Sequence, residues 1–441
     1  MAKPRHDRVA TEPHAVTEPG RRRARKPLAL LPQHLLRQHG KQRGTGRSHR
    51  KKVNMATQHA VIERALALQE LVRKEAPHTE RQGNLTAPVV QALLNAELFY
   101  LMVPAALGGL EVDGRTYLEV VEAISAADGS TGWCVMIGAE LNGMVGVHLP
   151  ADVARGILAH NGPICCAGSL IHDGTATIEQ TSDHYRLSGH WRFASGCNHS
   201  SYVIAFAPLC TAGQPVMTDN APTILMPLVA REELAFQDTW HVSGLRGTGS
   251  TDFTAQDVAV KPEMVAPLGQ APLQPTTMFQ LPIGSFFAIG KAAVATGIAR
   301  GALDAFLPTA TRTPALATSA LRDEARIQLQ IADAEASLRS ARAFLYDALQ
   351  DVWNATERGR PVPIQDRAIL RLACVHATKA ACDTVELVYH AAGSVSLLET
   401  SPLQRALRDV HAVRQHMMVA DRYRQDAGRV LLGLEPQESL F

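Results

Sequence analysis

The sequence predicts an α+β fold in three parts: an N-terminal helical domain, a central small β-sheet or barrel domain, and a C-terminal four-helix bundle. Two changes in the spacing of apolar residues predict this order. Helical spacing gives way near residue 163 to short β-type runs, and it returns in long segments after Pro282. We therefore place the three domains at 55–162, 163–270 and 271–441.

The N-terminal domain is predicted from three helical segments. The run TQHAVIERALALQELVRKEA, which starts at Thr57, places its apolar residues on one helical stripe. A second helix begins after Thr86, a capping residue type, and ends at Pro104. The run RTYLEVVEAISAADGSTGW, which starts at Arg115, predicts a helix that closes on a Gly-Ser-Thr-Gly turn.

The other two domains follow from the runs beyond residue 163. Short runs rich in β-branched and aromatic residues alternate with Gly, Asp, Asn and Pro, which favours a compact antiparallel sheet or barrel. After Pro282 come four long helical segments, including 364–392 and 401–431. Long amphipathic helices with short links are typical of an antiparallel bundle.

Residues 1–54 differ in charge from the rest of the chain. They carry 15 Lys and Arg against three Asp and Glu, whereas the remainder holds 29 basic and 39 acidic residues. A segment with few apolar residues and high net charge is expected to be disordered. We interpret it as an over-long translation start, because a helical domain begins at Met55. A nucleic-acid-binding arm and a targeting peptide are the alternatives, and the acidic body argues against nucleic acid.

Several other classes of protein are not favoured. The seven cysteines form no CxxC pair and no Cys/His array at zinc spacing, so we predict reduced thiols in a cytoplasmic protein and no metal site. No run approaches the roughly 18 apolar residues that span a bilayer. There is no GxGxxG motif in a βαβ setting, so no NAD(P)H-binding Rossmann domain is expected.

Five local motifs, in this order along the chain, carry a resemblance to a known family. They are GSTGW (129–133), GHWRFASG (189–196), DTWHVSGLRGTGST (238–251), AAGSVSLLETSPLQRALRD (391–409) and QHMMVADRYRQDAG (415–428). The chain after Met55 resembles the acyl-CoA dehydrogenase fold. Within that fold, the motifs resemble its flavin-dependent monooxygenases, the oxygenase components of two-component systems.

The resemblance implies a function and its partners. Such enzymes use reduced flavin (FMN or FAD) and O2 to hydroxylate an aromatic or heteroaromatic small molecule, phenol- or indole-type, through hydroperoxyflavin. A separate NAD(P)H-flavin reductase supplies the reduced flavin, and the enzyme is a homotetramer. Nucleic acid and membrane are not expected as partners.

The resemblance also assigns two residues to the flavin ring. Gly189 to Ser195 fits the dehydrogenase strand pattern Gly-x-Lys-x-Trp-Ile-Thr, with Phe193 in place of the tryptophan and Ser195 in place of the threonine. The threonine hydroxyl lies near flavin N5 in that family, so the same position is implied for Ser195. A hydroxyl there can donate or accept one hydrogen bond.

One missing carboxylate favours an oxygenase over a dehydrogenase. Acyl-CoA dehydrogenases abstract a proton with a glutamate eight residues beyond the Asp of an Arg-Asp pair; here the pair is Arg408-Asp409, and Met417 stands at that position. A thioether cannot act as a general base. His416 is next to it, and the resemblance gives this histidine the substrate contact, as acid or base. His411 is the other candidate for this role.

Four further residues are implied as cofactor contacts. Arg312 matches an arginine for the flavin phosphate, often across a subunit boundary, and Gln328 matches a glutamine near the cofactor. Gly393 and Ser394 are expected to approach the flavin tail. Trp133 and Trp240 are candidates either for the wall of the aromatic pocket or for the core, and we favour the core.

Three alternatives stay open at this point. The first is an acyl-CoA dehydrogenase with a displaced catalytic base, the second an N- or S-oxygenating member of the same branch. The third is a non-catalytic scaffold that retains the fold, against which the intact strand at Phe193 and Ser195 speaks. The sequence does not identify the substrate.

Overall fold

A computed structural model describes residues 45–159, 164–218, 221–314, 317–438 and 440–441. The chain from His49 onward forms one compact unit. The disorder predicted for residues 1–54 concerns mainly residues outside this description. Helix α1 (Thr45–Gln82) begins before the predicted boundary at Met55.

The N-terminal part consists of helices. After α1 come α2 (Ala87–Asn95), α3 (Gly114–Ala127), α4 (Gly129–His148) and α5 (Ala151–Leu158). The predicted Gly-Ser-Thr-Gly turn is wrong, because these four residues are the first turn of α4. The Asp128 carboxylate accepts a hydrogen bond of 2.8 Å from the Thr131 backbone N–H and caps the new helix, so small residues that suggest a turn begin a helix here.

The central part is one mixed sheet of ten strands, with a separate short hairpin. The order is β1-β4-β9-β5-β2-β3-β11-β10, with β12 paired to β9 and β6 to β5. The bounds are β1 Cys166–Ser169, β2 Thr177–Gln180, β3 Tyr185–Ala194, β4 Tyr202–Ala205, β5 Ala207–Thr211, β6 Gln214–Pro215, β7 Met217–Thr218, β8 Ala221–Pro222, β9 Ile224–Ala230, β10 Ala235–Gln237, β11 Thr251–Val260 and β12 Val265–Pro267.

The sheet departs from the predicted antiparallel arrangement at two strand pairs. Strand β1 pairs with β4 in parallel, and β2 pairs with β5 in parallel. Each parallel pair needs a connection that crosses over, which short-range turn signals cannot reveal. The remaining pairs are antiparallel, and Trp191 stacks on Phe253 at 5.1 Å between ring centroids in the core between β3 and β11.

The C-terminal part is a bundle of long helices: α6 (Ile283–Ala310), α7 (Ala325–Glu357), α8 (Ile364–Ala392), α9 (Pro402–Arg414) and α10 (Asp421–Leu431). Helix α8 packs on α6, α7, α9 and α10. The prediction of one helix over 401–431 is wrong. The chain leaves helical geometry after Arg414, and a single 3-10 turn at Met417–Val419 separates α9 from α10.

Helix α6 is the one described helix whose length and composition would allow it to cross a membrane. Its most apolar window is 83% buried inside the protein. It packs against α3, α4, α8 and α9, so its apolar composition is that of a central core helix.

Candidate active site

A cavity of about 410 Å³ is lined by Ser195 and His416, the two residues to which the resemblance gives a catalytic role. Its wall comes from helix α4, the end of β3, the loop before β11, helix α6 and the break between α9 and α10. Aromatic and aliphatic side chains form most of the wall. The lining residues that bear on the chemistry are Trp133, Glu140, Phe193, Ser195, Phe206, Trp240, Thr248, Ser250, Phe287, Lys291, His416 and Met417.

Phe193, one residue before the end of β3, has an unusual backbone conformation. Its φ is +66°, a region that bulky L-residues rarely adopt. The residue is 51% exposed, and its ring meets that of Trp240 edge to face, with ring centroids 6.1 Å apart. An aromatic ring held exposed at a cavity by a costly backbone is typical of a binding site.

Ser195 follows on the same strand end, and its side chain is buried in a hydrogen-bond chain. The indole N–H of Trp133 donates to Ser195 Oγ at 3.0 Å, and Ser195 Oγ lies 2.7 Å from Ser250 Oγ. Ser250 Oγ lies 2.6 Å from Thr248 Oγ1, which donates to the Leu245 carbonyl oxygen at 2.8 Å. Trp133 is buried in the core, and both Trp133 and Trp240 also line the cavity, which is the other of the two positions open to them from the sequence.

His416 lies at the break between α9 and α10, not inside a helix. Its backbone is extended (φ −68°, ψ 133°), and its Nδ1 accepts a hydrogen bond of 3.2 Å from the Met418 backbone N–H. Burial and the Lys291 ammonium lower the pKa of His416 to about 3. The imidazole is therefore uncharged near neutral pH, and because Nδ1 accepts, Nε2 carries the proton.

This tautomer limits the proton transfers and hydrogen bonds that His416 can make. A neutral ring with its proton on Nε2 donates a hydrogen bond from that atom and has no free basic nitrogen. Of the two roles implied by the resemblance, the structure favours the donor. Nε2 of the other candidate, His411, lies 3.0 Å from Glu386 Oε1, and His411 is not among the residues that line the cavity.

A buried ion pair in the wall was missed by the sequence analysis. Lys291 Nζ lies 2.9 Å and 2.7 Å from the two carboxylate oxygens of Glu140, and Tyr117 Oη donates to Glu140 Oε1 at 3.3 Å. Burial raises the pKa of Glu140, and the Lys291 ammonium opposes that rise. The signal was present, because each residue is a single charge within an apolar helical run.

Glu140 bears on the question of a catalytic base. Among the described residues that line the cavity, Glu140 is the one carboxylate, and Met417 contributes sulfur. Both Glu140 oxygens already accept hydrogen bonds from Lys291. A carboxylate held in this way is a poor proton acceptor from carbon, which argues against a displaced dehydrogenase base.

The loop before β11 is anchored by Arg408 and Asp409, the Arg-Asp pair whose Asp lies eight residues before Met417. Asp409 Oδ1 accepts from the Leu245 backbone N–H at 2.6 Å, and Arg408 donates to the Ser243 carbonyl oxygen at 2.7 Å. Burial and the neighbouring Asp128 carboxyl raise the pKa of Asp409 to about 7. The pair thus positions the loop that carries Thr248.

Comparison with known proteins shows which family the chain resembles. The N-terminal domain model of acyl-CoA dehydrogenase matches residues 57–149, and the C-terminal domain model matches residues 289–421. Indole-3-acetate monooxygenase of Pseudomonas putida is 30% identical over 361 residues, which cover 81% of this chain and 90% of the relative. The chain belongs to the flavin-dependent monooxygenases of the acyl-CoA dehydrogenase family.

Two further monooxygenase relatives are similar along most of the chain. The FADH2-dependent resorcinol hydroxylase, oxygenase component, of Rhizobium sp. (strain MTP-10005) is 29% identical and covers 86% of this chain and 95% of its own. The crystal structure of 3-HSA hydroxylase from Rhodococcus sp. RHA1 superposes with a TM-score of 0.79 at 26% identity, covering 87% of this chain and 99% of that one.

The predicted residues of the monooxygenase site fall into two groups. Phe193, Ser195 and His416 line the same cavity. The other four, Arg312, Gln328, Gly393 and Ser394, are exposed and do not line it. Arg312 follows the end of α6, Gln328 lies in the first turns of α7, and Gly393 and Ser394 follow α8.

Proposed function

We propose that this protein is the oxygenase component of a two-component monooxygenase, which uses reduced FMN or FAD and O2 to hydroxylate a small aromatic or heteroaromatic compound. One observation carries the proposal. A cavity with aromatic walls has a hydroxyl, Ser195, and an uncharged imidazole, His416, linked through Trp133, while its carboxylate is tied to Lys291.

The donor set of the cavity fits a flavin ring. Phe193 and Trp240 supply flat apolar surface at the mouth, and Ser195 Oγ supplies a polar atom at the wall. A cavity of about 410 Å³ is within the usual size of small-molecule sites. Reduced flavin supplies the electrons that activate O2, and the protein supplies position and exclusion of water.

The other polar groups suit a substrate with a hydrogen-bond acceptor. His416 Nε2–H is a donor, and the Lys291 ammonium has three N–H donors for two Glu140 oxygens. A phenolic oxygen or an attached carboxylate is the kind of acceptor that such donors bind. The names of the relatives, indole-3-acetate monooxygenase and resorcinol hydroxylase, are in keeping with this class.

The exposure of the four residues that we predict to contact the cofactor supports a homotetramer. Leu329 (67% exposed) adjoins Gln328, and Leu397 (68% exposed) lies three residues beyond Ser394. Large exposed leucines beside predicted cofactor contacts favour a second copy of the chain covering them. Arg312, Gln328, Gly393 and Ser394 then hold the flavin tail at the subunit boundary, and a separate NAD(P)H-flavin reductase delivers the reduced flavin.

The test combines flavin binding with turnover. Purified full-length protein is titrated anaerobically with reduced FMN and FAD, then supplied with air, a generic flavin reductase and a panel of phenols, indoles and acyl-CoA thioesters. We expect tight binding of reduced flavin and a hydroxylated product from a phenol or an indole. Bleaching of bound oxidised FAD by an acyl-CoA, with no oxygenated product, would contradict the proposal.

A further inference from the structure

The hydrogen-bond chain at Ser195 has a fixed direction. Each of its three hydroxyl groups has one proton to donate, and the indole N–H only donates. The chain ends on the Leu245 carbonyl oxygen, which only accepts. Thr248 Oγ1 therefore donates its proton to the Leu245 carbonyl oxygen, at 2.8 Å.

The direction then passes from hydroxyl to hydroxyl. Ser250 Oγ lies 2.6 Å from Thr248 Oγ1, whose proton is already used, so Ser250 must donate to Thr248. Ser195 Oγ lies 2.7 Å from Ser250 Oγ, so Ser195 in turn donates to Ser250. If Ser250 donated to Ser195 instead, no proton would lie between Ser250 Oγ and Thr248 Oγ1, and their lone pairs would face each other at 2.6 Å.

This direction leaves Ser195 without a proton for a ligand. Its proton goes to Ser250, and one of its lone pairs accepts the Trp133 indole N–H at 3.0 Å. One lone pair remains. Ser195, Ser250, Thr248 and Trp133 are all buried, so solvent water does not readily offer the replacement bonds that a reversal would need.

We propose that Thr248 and Ser250 are positioning residues that hold Ser195 as a hydrogen-bond acceptor and so make the site prefer reduced over oxidised flavin. The proposal rests on the proposed function, because it takes the flavin ring to be the ligand at Ser195. Reduced flavin carries a hydrogen on N5 and can donate to Ser195. Oxidised flavin has only a lone pair on N5, and two acceptors repel.

The preference has a functional consequence. An oxygenase that receives reduced flavin from another protein must bind it in the presence of the oxidised form. A hydrogen bond made by one form and not the other shifts their relative affinity by about 3- to 10-fold. The same difference raises the two-electron potential of bound flavin by about 15 to 30 mV.

The experiment measures the dissociation constants of reduced and oxidised flavin for the full-length protein and its variants, with FMN and FAD in separate arms. In Thr248→Val, Ser250 loses its acceptor and can turn to Ser195, which frees the Ser195 proton for the cavity. Ser250→Ala frees that proton directly. We expect both substitutions to reduce the ratio of the affinities, reduced over oxidised, by about 3- to 10-fold.

Two variants serve as controls. Thr248→Ser keeps the hydroxyl and should keep the ratio of the wild-type protein. In Ser195→Ala the ratio should fall as well, and adding Ser250→Ala to it should cause no further change. Dye-equilibrated redox titration of the bound flavin gives a second readout, and melting curves show which variants fold.

The outcomes separate this proposal from the proposed function. Wild-type protein that binds reduced flavin, with the same affinity ratio in folded Thr248→Val and Ser250→Ala, overturns the proposal alone. If only one of these two variants folds, an unchanged ratio in that variant has the same meaning. Wild-type protein that binds no reduced flavin of either kind overturns both.

Discussion

At the scale of single residues, the protonation state of His416 decides what it can do. Its Nδ1 is occupied by the Met418 backbone N–H, and burial with the Lys291 ammonium lowers its pKa to about 3. A histidine whose pKa is lowered is uncharged at every pH above that value. We therefore propose that it acts as a hydrogen-bond donor from Nε2.

His416→Asn tests this role, because the asparagine carbonyl can still accept from the Met418 N–H while the Nε2 donor is lost. We expect kcat/KM for the aromatic substrate to fall about tenfold. In wild-type protein, the initial rate between pH 5.5 and 8.5 should show no limb that belongs to His416. A limb near pH 6.5 that disappears in His416→Asn would contradict the assignment.

Phe193 offers a test of strain held at the site. Its positive φ is a cost that glycine does not bear, and its ring is proposed to contact flavin. We expect Phe193→Gly and Phe193→Ala to weaken flavin binding alike. The glycine variant should nevertheless be more stable than the alanine variant by about 1 kcal/mol in urea unfolding. Equal stability of the two variants would show that the backbone is not strained.

At the scale of elements, the break between α9 and α10 shows where sequence reasoning stops. The apolar spacing of 401–431 continues through the break, so periodicity alone predicts one helix. The structure ends α9 at Arg414 and places His416 in an extended conformation. The resemblance selected a residue that lines the cavity, but neither its tautomer nor its position at a helix end was accessible from spacing.

Helices α4 and α6 are joined across the cavity wall by the Glu140–Lys291 pair, whose two side chains are each 2% exposed. Removing one member leaves a buried charge without its partner. We expect Lys291→Met to lower the free energy of unfolding by about 3–5 kcal/mol, and Lys291→Met with Glu140→Leu to recover most of that loss. Urea unfolding measures both. A double variant as unstable as the single one would contradict this account of the pair.

Asp409, on α9, anchors the loop before β11 and should give stability a pH dependence. Its pKa is raised to about 7 in the folded protein, above the ordinary aspartate value near 3.9 in the unfolded chain. Between these two values the folded state binds more protons, so the contribution of Asp409 to stability falls as pH rises from about 4 to 7 and is constant above.

Asp409→Asn should remove this dependence, because an amide does not titrate. The amide oxygen can still accept the hydrogen bond from the Leu245 N–H. The melting temperature of the variant minus that of the wild type should therefore increase from pH 5 to pH 7.5 and then level off. A difference that decreases over this interval would mean that burial does not dominate the pKa of Asp409.

At the scale of the whole molecule, the order of helical part, sheet and helical bundle followed from apolar spacing alone. Three features did not follow. The parallel strand pairs and the Glu140–Lys291 pair join residues far apart in sequence, and the start of α4 has a composition typical of a turn. Local patterns report local structure, so long-range pairing needs the fold itself.

The assembly makes a prediction of its own. Leu329→Asp places a charge on an exposed apolar position beside Gln328, and we expect it to shift the proposed tetramer to smaller species and to weaken flavin binding. Met217→Asp, on the short β7–β8 hairpin and 56% exposed in the wild type, is the control. Sedimentation velocity measures the assembly. Unchanged mass and flavin affinity in Leu329→Asp would count against a flavin site shared between subunits.

The fate of molecular oxygen tests the central claim most directly. Purified protein, a separate flavin reductase, NAD(P)H and the phenol or indole that the panel selects are supplied with ¹⁸O2, and the product is analysed by mass spectrometry. The account predicts one ¹⁸O atom in each molecule of hydroxylated product, dependent on reduced flavin. A product that takes its oxygen from water, or an unsaturated acyl product with no oxygen added, would contradict it.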